Sequence, residues 1–292
     1  MRLTHIVTTI LVVLGATSAQ AQSRNAASAP CDLPNNSGVS PQRLMSGERQ
    51  RGYRLFVPPG YDGHERLALV VDLHGSGGSS AGQARNSGLE MLSASGERFI
   101  VATLDAVDAR WNVPVQNGRP DDVAYVSDVI DHVAARVCTD LARVYATGFS
   151  GGARMTSLLG CRLGARIAAI APVSGLRLPG AGCNRRGVSV LTFHGLADPQ
   201  NTYEGHVPDR GEEWLESVPD ALAGWARSDS CKGAATLDDP PGPLSTMRYE
   251  GCADGAEVRM IRIDGLGHAW TRKEVDTTVV MWQFFKSHRL NR

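Results

Sequence analysis

Arg143-Val144-Tyr145-Ala146-Thr147-Gly148-Phe149-Ser150-Gly151-Gly152 is an apolar run that stops abruptly at a serine fenced by glycines. It predicts a buried strand, a sharp G-x-S-x-G turn and a helix opening at Gly151. Small neighbours let the backbone fold back tightly at such a bend and push the serine hydroxyl into a cleft at the sheet's edge. A second match, Gly78-Ser79-Ser80-Ala81-Gly82, lies several residues beyond the strand Leu67 to Leu73, inside a glycine-rich stretch. Ser150 is therefore read as a candidate nucleophile and Ser80 as loop.

A serine hydroxyl is a poor nucleophile until a base takes its proton, and the base needs a third group to hold its tautomer. Downstream, Ser189-Val190-Leu191-Thr192-Phe193 reads as a buried strand that runs into His194-Gly195-Leu196-Ala197-Asp198-Pro199, which puts Asp198 on the loop just past it. Val258-Arg259-Met260-Ile261-Arg262-Ile263 alternates as a strand does and gives way to Asp264-Gly265-Leu266-Gly267-His268-Ala269-Trp270. His268 thus falls on a glycine-flanked loop from which an imidazole can reach Ser150. The other histidines fit less well: His64 precedes the sheet core, His132 lies in a helical pattern, His288 is near the C-terminus, and His194 is placed to buttress the Asp198 loop. An oxyanion formed at Ser150 needs backbone N–H donors without obstructing side chains. The glycine-rich turn His74-Gly75-Ser76-Gly77-Gly78 after an early strand suits that task, and the donors are assigned to Ser76 and Gly151.

The combination of His74-Gly75, Gly148-Phe149-Ser150-Gly151-Gly152, Phe193-His194-Gly195-Leu196-Ala197-Asp198 with Tyr203-Glu204-Gly205, and Gly267-His268-Ala269-Trp270 resembles the secreted feruloyl esterase and polyhydroxybutyrate depolymerase family. The likeness runs over about residues 50 to 290. It implies a serine carboxylesterase of α/β-hydrolase fold without a cofactor, with Ser150, Asp198 and His268 as its triad. Two positions depart from the family's pattern. Asp72 stands on a strand where the family usually has a small uncharged residue, and Gly151 follows the serine where Asn or Asp is common.

Strands alternating with helical patterns predict an α/β fold, a mostly parallel sheet with helices on both faces. Tyr53 to Val57 opens the sheet, Phe99 to Leu104 supplies another strand, and Asp121 can cap a helix carrying Val123, Val126, Val129, Ile130 and Val133 on one face. Further helices are expected around Ala221 to Arg227 and from Thr277 to His288. The Pro-rich segment Asp239 to Pro243 is a loop within one domain, because a strand and His268 lie beyond it.

Arg2, the apolar segment Ile6 to Gly15 and Ala19-Gln20-Ala21 read as a secretory signal with an A-x-A cleavage site, too short to span a bilayer stably. The expected organisation is a signal peptide at 1–21, an N-terminal arm at 22–49 and a catalytic domain at 50–292, located in the periplasm or outside the cell and not held in a membrane. Without Arg2 the chain has 29 basic residues against 30 acidic. No basic stripe tracks phosphates, so nucleic acid is not an expected partner. Six cysteines in an exported chain point to disulfides, for which sequence alone permits 15 pairings. Cys231 and Cys252 flank the stretch Lys232 to Gly251, read as an irregular insertion, and Cys161 and Cys183 flank a strand and its following loop. Those local pairs leave Cys31 with Cys138. A metal site lacks any close C-x-x-C or H-x-x-x-H pair.

The expected substrate is an ester that reaches the pocket in solution, a soluble feruloyl sugar or a short polyester, since a depolymerase acting on solid polyester gains from an added surface-binding domain and the chain ends at Arg292 after the last helix. Trp111 and Trp270 are expected to wall the pocket for an aromatic acyl group or a sugar face. Feruloyl esterase activity is thus expected ahead of polyhydroxybutyrate depolymerase or acetylxylan esterase activity. A carbohydrate-binding protein that kept the scaffold but not the chemistry is the rival from another class.

Overall fold

The structure is a computed structural model that describes residues 31–34, 36–180, 187–205, 216–240 and 242–290. In chain order these form β1 (Gly38–Ser46), β2 (Arg49–Val57), β3 (Leu67–Leu73), α1 (Ser80–Ser87), α2 (Leu89–Leu92), β4 (Ile100–Leu104), α3 (Asp122–Ala134), β5 (Thr139–Phe149), α4 (Gly151–Arg162), β6 (Ala169–Val173), β7 (Ser189–Gly195), α5 (Val218–Ser228), β8 (Lys232–Asp238), β9 (Leu244–Glu250), β10 (Val258–Ile263) and α6 (Thr277–Lys286). The strands make one sheet in the order β1-β2-β4-β3-β5-β6-β7-β10-β9-β8. Its centre, from β4 through β3, β5, β6 and β7 to β10, is parallel, and antiparallel pairs β1–β2 and β8–β9 close its margins.

Both faces of the centre are covered. Every residue of β3, β4, β6 and β7 is buried, which is why these strands read as continuous apolar runs rather than as alternation. On one face Val126, Val129 and Val133 of α3, Leu158 of α4 and Leu222 and Trp225 of α5 pack over Leu69, Val71 and Val144. On the other, Leu89, Trp282 and Phe285 pack over Val70, Val101 and Tyr145. Asp121 caps α3 as its sequence predicts, its carboxylate accepting from Ala124 N at 2.9 Å. This is the α/β-hydrolase fold. Because β3, β5, β7 and β10 run in parallel, their C-terminal ends deliver His74, Ser150, Asp198 and His268 to one edge of the sheet, where open α/β folds place their sites.

Three expectations change. Lys232 to Gly251 is not an irregular insertion but the hairpin β8–β9, whose Met247 and Tyr249, two residues apart, pack on the core. Pro240 and Gly242 sit in its turn, so the proline cluster masks strand signals on either side. The arm at 22–49 contains β1, a half-exposed edge strand with little apolar content to announce it. Ser80 is not loop but the first residue of α1, with Ser79 Oγ accepting from Gly82 N at 3.2 Å as the cap.

Disulfides join Cys31 to Cys138 and Cys231 to Cys252, with Cα–Cα separations of 5.9 and 3.6 Å. Cys183, and with it the expected bridge to Cys161, lies outside the described residues, as does the signal segment at 1–21. Among the described residues no helix is long and apolar enough to cross a membrane.

Candidate active site

Ser150 sits at the bend between β5 and α4 with φ 55° and ψ −112°. A non-glycine residue is strained there, and the surrounding packing has to hold it. The hold comes from three glycines. A Cβ on Gly148 would lie 2.6 Å from Gly152 C, one on Gly152 2.2 Å from Leu73 O, and one on Gly175 2.6 Å from Ser150 O. These contacts leave no room for a side chain, so the fencing of Ser150 is a steric requirement. Ser150 N–H donates to Val173 O at 3.0 Å, which ties the bend to the neighbouring strand end.

Asp198 and His268 meet as their loop positions predict. His268 Nδ1 lies 2.7 Å from Asp198 Oδ2, with both side chains nearly or fully buried. The other carboxylate oxygen, Oδ1, accepts from Gln200 N at 2.8 Å and Asn201 N at 2.9 Å. Burial alone raises the Asp198 carboxyl, but the His268 hydrogen bond and the two backbone donors outweigh it and hold the group below the ordinary carboxylate range. An ionised Asp198 can only accept, so His268 Nδ1 carries the proton and donates it in this hydrogen bond, which leaves the lone pair on Nε2. The His268 ring lies against Phe149, the residue before Ser150, with ring centroids 4.7 Å apart.

The glycine-rich turn closes on the same bend. A Cβ on Gly75 would touch Ser150 Cβ at 3.4 Å, and one on Gly151 would lie 3.1 Å from Ser76 N and 2.4 Å from Ser76 Oγ. Ser76 and Gly151 are thus brought side by side. His74 braces the turn with both ring nitrogens: Ala106 N–H donates to Nε2 at 3.1 Å, so Nδ1 carries the proton and donates to Gly75 O at 2.7 Å.

Trp111 and Trp270 do not form open walls. They are 4% and 9% exposed and belong to the two cores, because each indole N–H is engaged inside the protein: Trp111 donates to His74 O at 2.8 Å and Trp270 to Thr278 Oγ1 at 3.1 Å. They brace the loops that carry His74 and His268. The apolar concavity along α4 lies apart from them and is lined by none of Ser150, Asp198 and His268. A cleft of about 270 Å³ runs beside α4, with Val113, Pro114, Leu158, Leu178 and Pro179 as apolar walls and Arg154, one helical turn from Ser150, on its lining.

Two supporting residues, Ser174 and Asn201, escape a motif reading, while His194 takes the buttressing place beside Asp198 that its position in the sequence suggests. Ser174, at φ 53°, accepts from Asn201 Nδ2 through its carbonyl and donates from its hydroxyl to Ala269 O at 3.3 Å, so it joins the loops of Asp198 and His268. His194, whose Nε2–H donates to Asn201 O at 2.7 Å, is fully buried, and burial pushes its pKa down to about 4. It is a neutral buttress. Only the proximity of Asn201 to Asp198 in sequence could have hinted at this network. Among the described residues no group of three or more His, Cys, Asp or Glu side chains could hold a metal ion.

The profile of the esterase family described as "Esterase PHB depolymerase" matches residues 51–211. The chain belongs to that family. Over 264 residues it is 28% identical to a probable feruloyl esterase C of Aspergillus terreus, covering 88% of this chain and 92% of that one. It is 29% identical over 228 residues to feruloyl esterase B of Piromyces equi, and that match spans 73% of this chain but 41% of the relative. Among solved structures, an acetyl xylan esterase from Aspergillus awamori superposes with a TM-score of 0.63 at 15% identity, covering 84% of this chain and 99% of that one, which supports the fold.

Proposed function

We propose that this family member is a secreted serine carboxylesterase whose substrates are hydroxycinnamoyl esters of plant-wall sugars. The observation that carries the esterase reading is the hydrogen bond from His268 Nδ1 to the buried Asp198, set beside a serine held in a strained bend. In this reading His268 Nε2 accepts the Ser150 proton as Oγ attacks the acyl carbonyl. The resulting oxyanion is met by the N–H groups of Ser76 and Gly151. Asp198 stabilises the imidazolium, which then gives its proton to the departing alcohol. Water enters, His268 takes its proton in turn, and the acyl-enzyme is hydrolysed to the free acid and Ser150.

The preference for hydroxycinnamoyl groups is supported by the relatives named as feruloyl esterases. Secretion is supported by the two disulfides, which belong in an oxidising compartment. The test is a comparison on the purified mature protein of a feruloyl arabinose, an acetylated xylo-oligosaccharide and a hydroxybutyrate trimer, with organophosphonate labelling of the active serine. Labelling at Ser150 with fastest release of ferulate is expected. Faster turnover of the trimer or the acetylated sugar overturns the substrate, and absence of both labelling and turnover overturns the enzyme.

A further inference from the structure

Asp72 is the residue that the esterase chemistry leaves unexplained. It lies at the centre of the sheet on β3, fully buried, paired in register with Thr103 of β4 and Thr147 of β5. Burial pushes its carboxyl up to about 7, against the pull of the hydrogen bonds it receives, with Glu90 adding to the rise. An apolar or small residue at this position would carry no such cost.

Its contacts run to one helix. Gln83 Nε2 donates to Asp72 Oδ1 and Ser87 Oγ to Oδ2, both at 2.7 Å, so the carboxyl group grips two side chains one turn apart on α1. Only ten residues separate Asp72 from Gln83, and they include the turn His74 to Gly78 that places Ser76. The far end of α1 is gripped again. Thr278 Oγ1 donates to Ser87 O, Arg272 Nη2 donates to Asn86 O at 2.8 Å, and Trp270 Nε1 donates to Thr278 Oγ1 at 3.1 Å. Those three donors belong to the stretch that follows His268.

We propose that Asp72 is a positioning residue: by clasping Gln83 and Ser87 it fixes α1 against β3, and α1 in turn fixes the turn that carries Ser76 and the segment that carries His268. One buried group thereby sets the spacing between the oxyanion donors and the base. The inference rests on the esterase reading above and adds to it a residue that touches neither substrate nor the reacting atoms. Displacing a preorganised donor or base by about 1 Å costs on the order of a hundredfold in rate, so loosening the clasp acts on kcat rather than on KM.

The test uses the full mature enzyme, p-nitrophenyl acetate as substrate and an organophosphonate, reacted to completion, to count competent serines. Per titrated site, Asp72→Ala is expected to lose about ten- to a hundredfold in kcat with KM within about threefold. Asp72→Asn is expected to recover most of that loss, because its Oδ1 still accepts from Ser87 and its Nδ2 donates to a flipped Gln83 amide. Gln83→Met, which keeps the volume and removes one donor, is expected to lose about fivefold, and it decides the matter if Asp72→Ala does not fold. A titrated Asp72→Ala or Gln83→Met enzyme within twofold of wild-type kcat, or Asp72→Asn no better than Asp72→Ala, overturns the positioning role while the esterase stands. A wild-type enzyme that neither labels nor turns over overturns both.

Discussion

Adding one methyl group at either of two adjacent glycines separates stability from catalysis. In Gly152→Ala the new Cβ would stand 2.2 Å from Leu73 O and 2.7 Å from both Leu73 C and His74 O. These are backbone atoms of a central strand, and normal contact requires them to move by about 1 Å, for which overpacking costs of about 3 kcal/mol or more are expected. In Gly151→Ala the close atom is Ser76 Oγ at 2.4 Å, which can rotate away, while Ser76 N at 3.1 Å is crowded only slightly. A rotamer change costs about 1 kcal/mol, and the better helix propensity of Ala returns up to about the same amount, so stability should hardly change. The methyl nevertheless presses on Ser76 N, one of the two N–H groups assigned to the oxyanion, at 3.1 Å. Shifting one of those donors is expected to lower kcat by about a hundredfold, about 2.7 kcal/mol in transition-state stabilisation. Thermal denaturation, together with kcat per phosphonate-titrated site, measures both effects, and Gly151→Ala/Ser76→Gly should regain part of the loss by removing the Oγ contact. A Gly151→Ala enzyme with kcat within threefold of wild type would refute the placement of the donors.

Other outcomes follow from the same geometry. Ser150→Ala should lose on the order of 10³-fold or more in ester hydrolysis with an unchanged Tm, and a phosphonate adduct mapped to Ser80 instead would show the wrong serine was chosen. Asp229 is buried with one oxygen accepting from Gly187 N at 3.0 Å, and burial raises its carboxyl to about 7, well above the unfolded value. The folded state then holds a proton that the unfolded chain releases, so this group's contribution is fullest below about pH 4 and is lost as pH rises through 7. Asp229→Asn should therefore gain in Tm over wild type between pH 4 and 8; a Tm difference independent of pH argues against it. Opening Cys31–Cys138, which closes 107 residues, should destabilise by about 5 kcal/mol, against about 3 kcal/mol for the 21-residue Cys231–Cys252 loop; equal losses for paired Cys→Ser variants in urea unfolding would contradict the chain-entropy account.

The parallel centre and the meeting of Asp198 with His268 were legible because both rest on local signals. A fully buried strand is written as an apolar run, and a loop directly after such a strand is fixed in space by it. The margins were not, since β1 and β8 bury too little to impose a pattern and the turn between β8 and β9 is dense in proline. Ser80 was misplaced because its helix is short and opens with serines and glycines, residues equally at home in loops. Trp111, after the strand Phe99 to Leu104, and Trp270, two residues past His268, suit a pocket by ring chemistry and position, but whether an indole faces a cleft or a core depends on partners such as His74 O and Thr278 that no local window contains. Asp72 shows the same limit: its oddity is visible in the sequence, but Gln83 and Ser87 become its partners only once α1 is laid on β3.

Among the described residues the sheet ends in two outer strands, β1 and β8, each paired on one side only, and β1 displays Val39 and Met45 at 45% and 61% exposure. Each lies beside a disulfide: Cys31 precedes β1, and Cys231 and Cys252 close the base of the hairpin containing β8. In a reducing cytoplasm both fastenings are absent while the chain folds, and loosened margins become templates on which other chains can add strands. Production in an oxidising compartment is therefore expected to favour folded protein over inclusion bodies, even though neither disulfide includes a residue of the proposed triad.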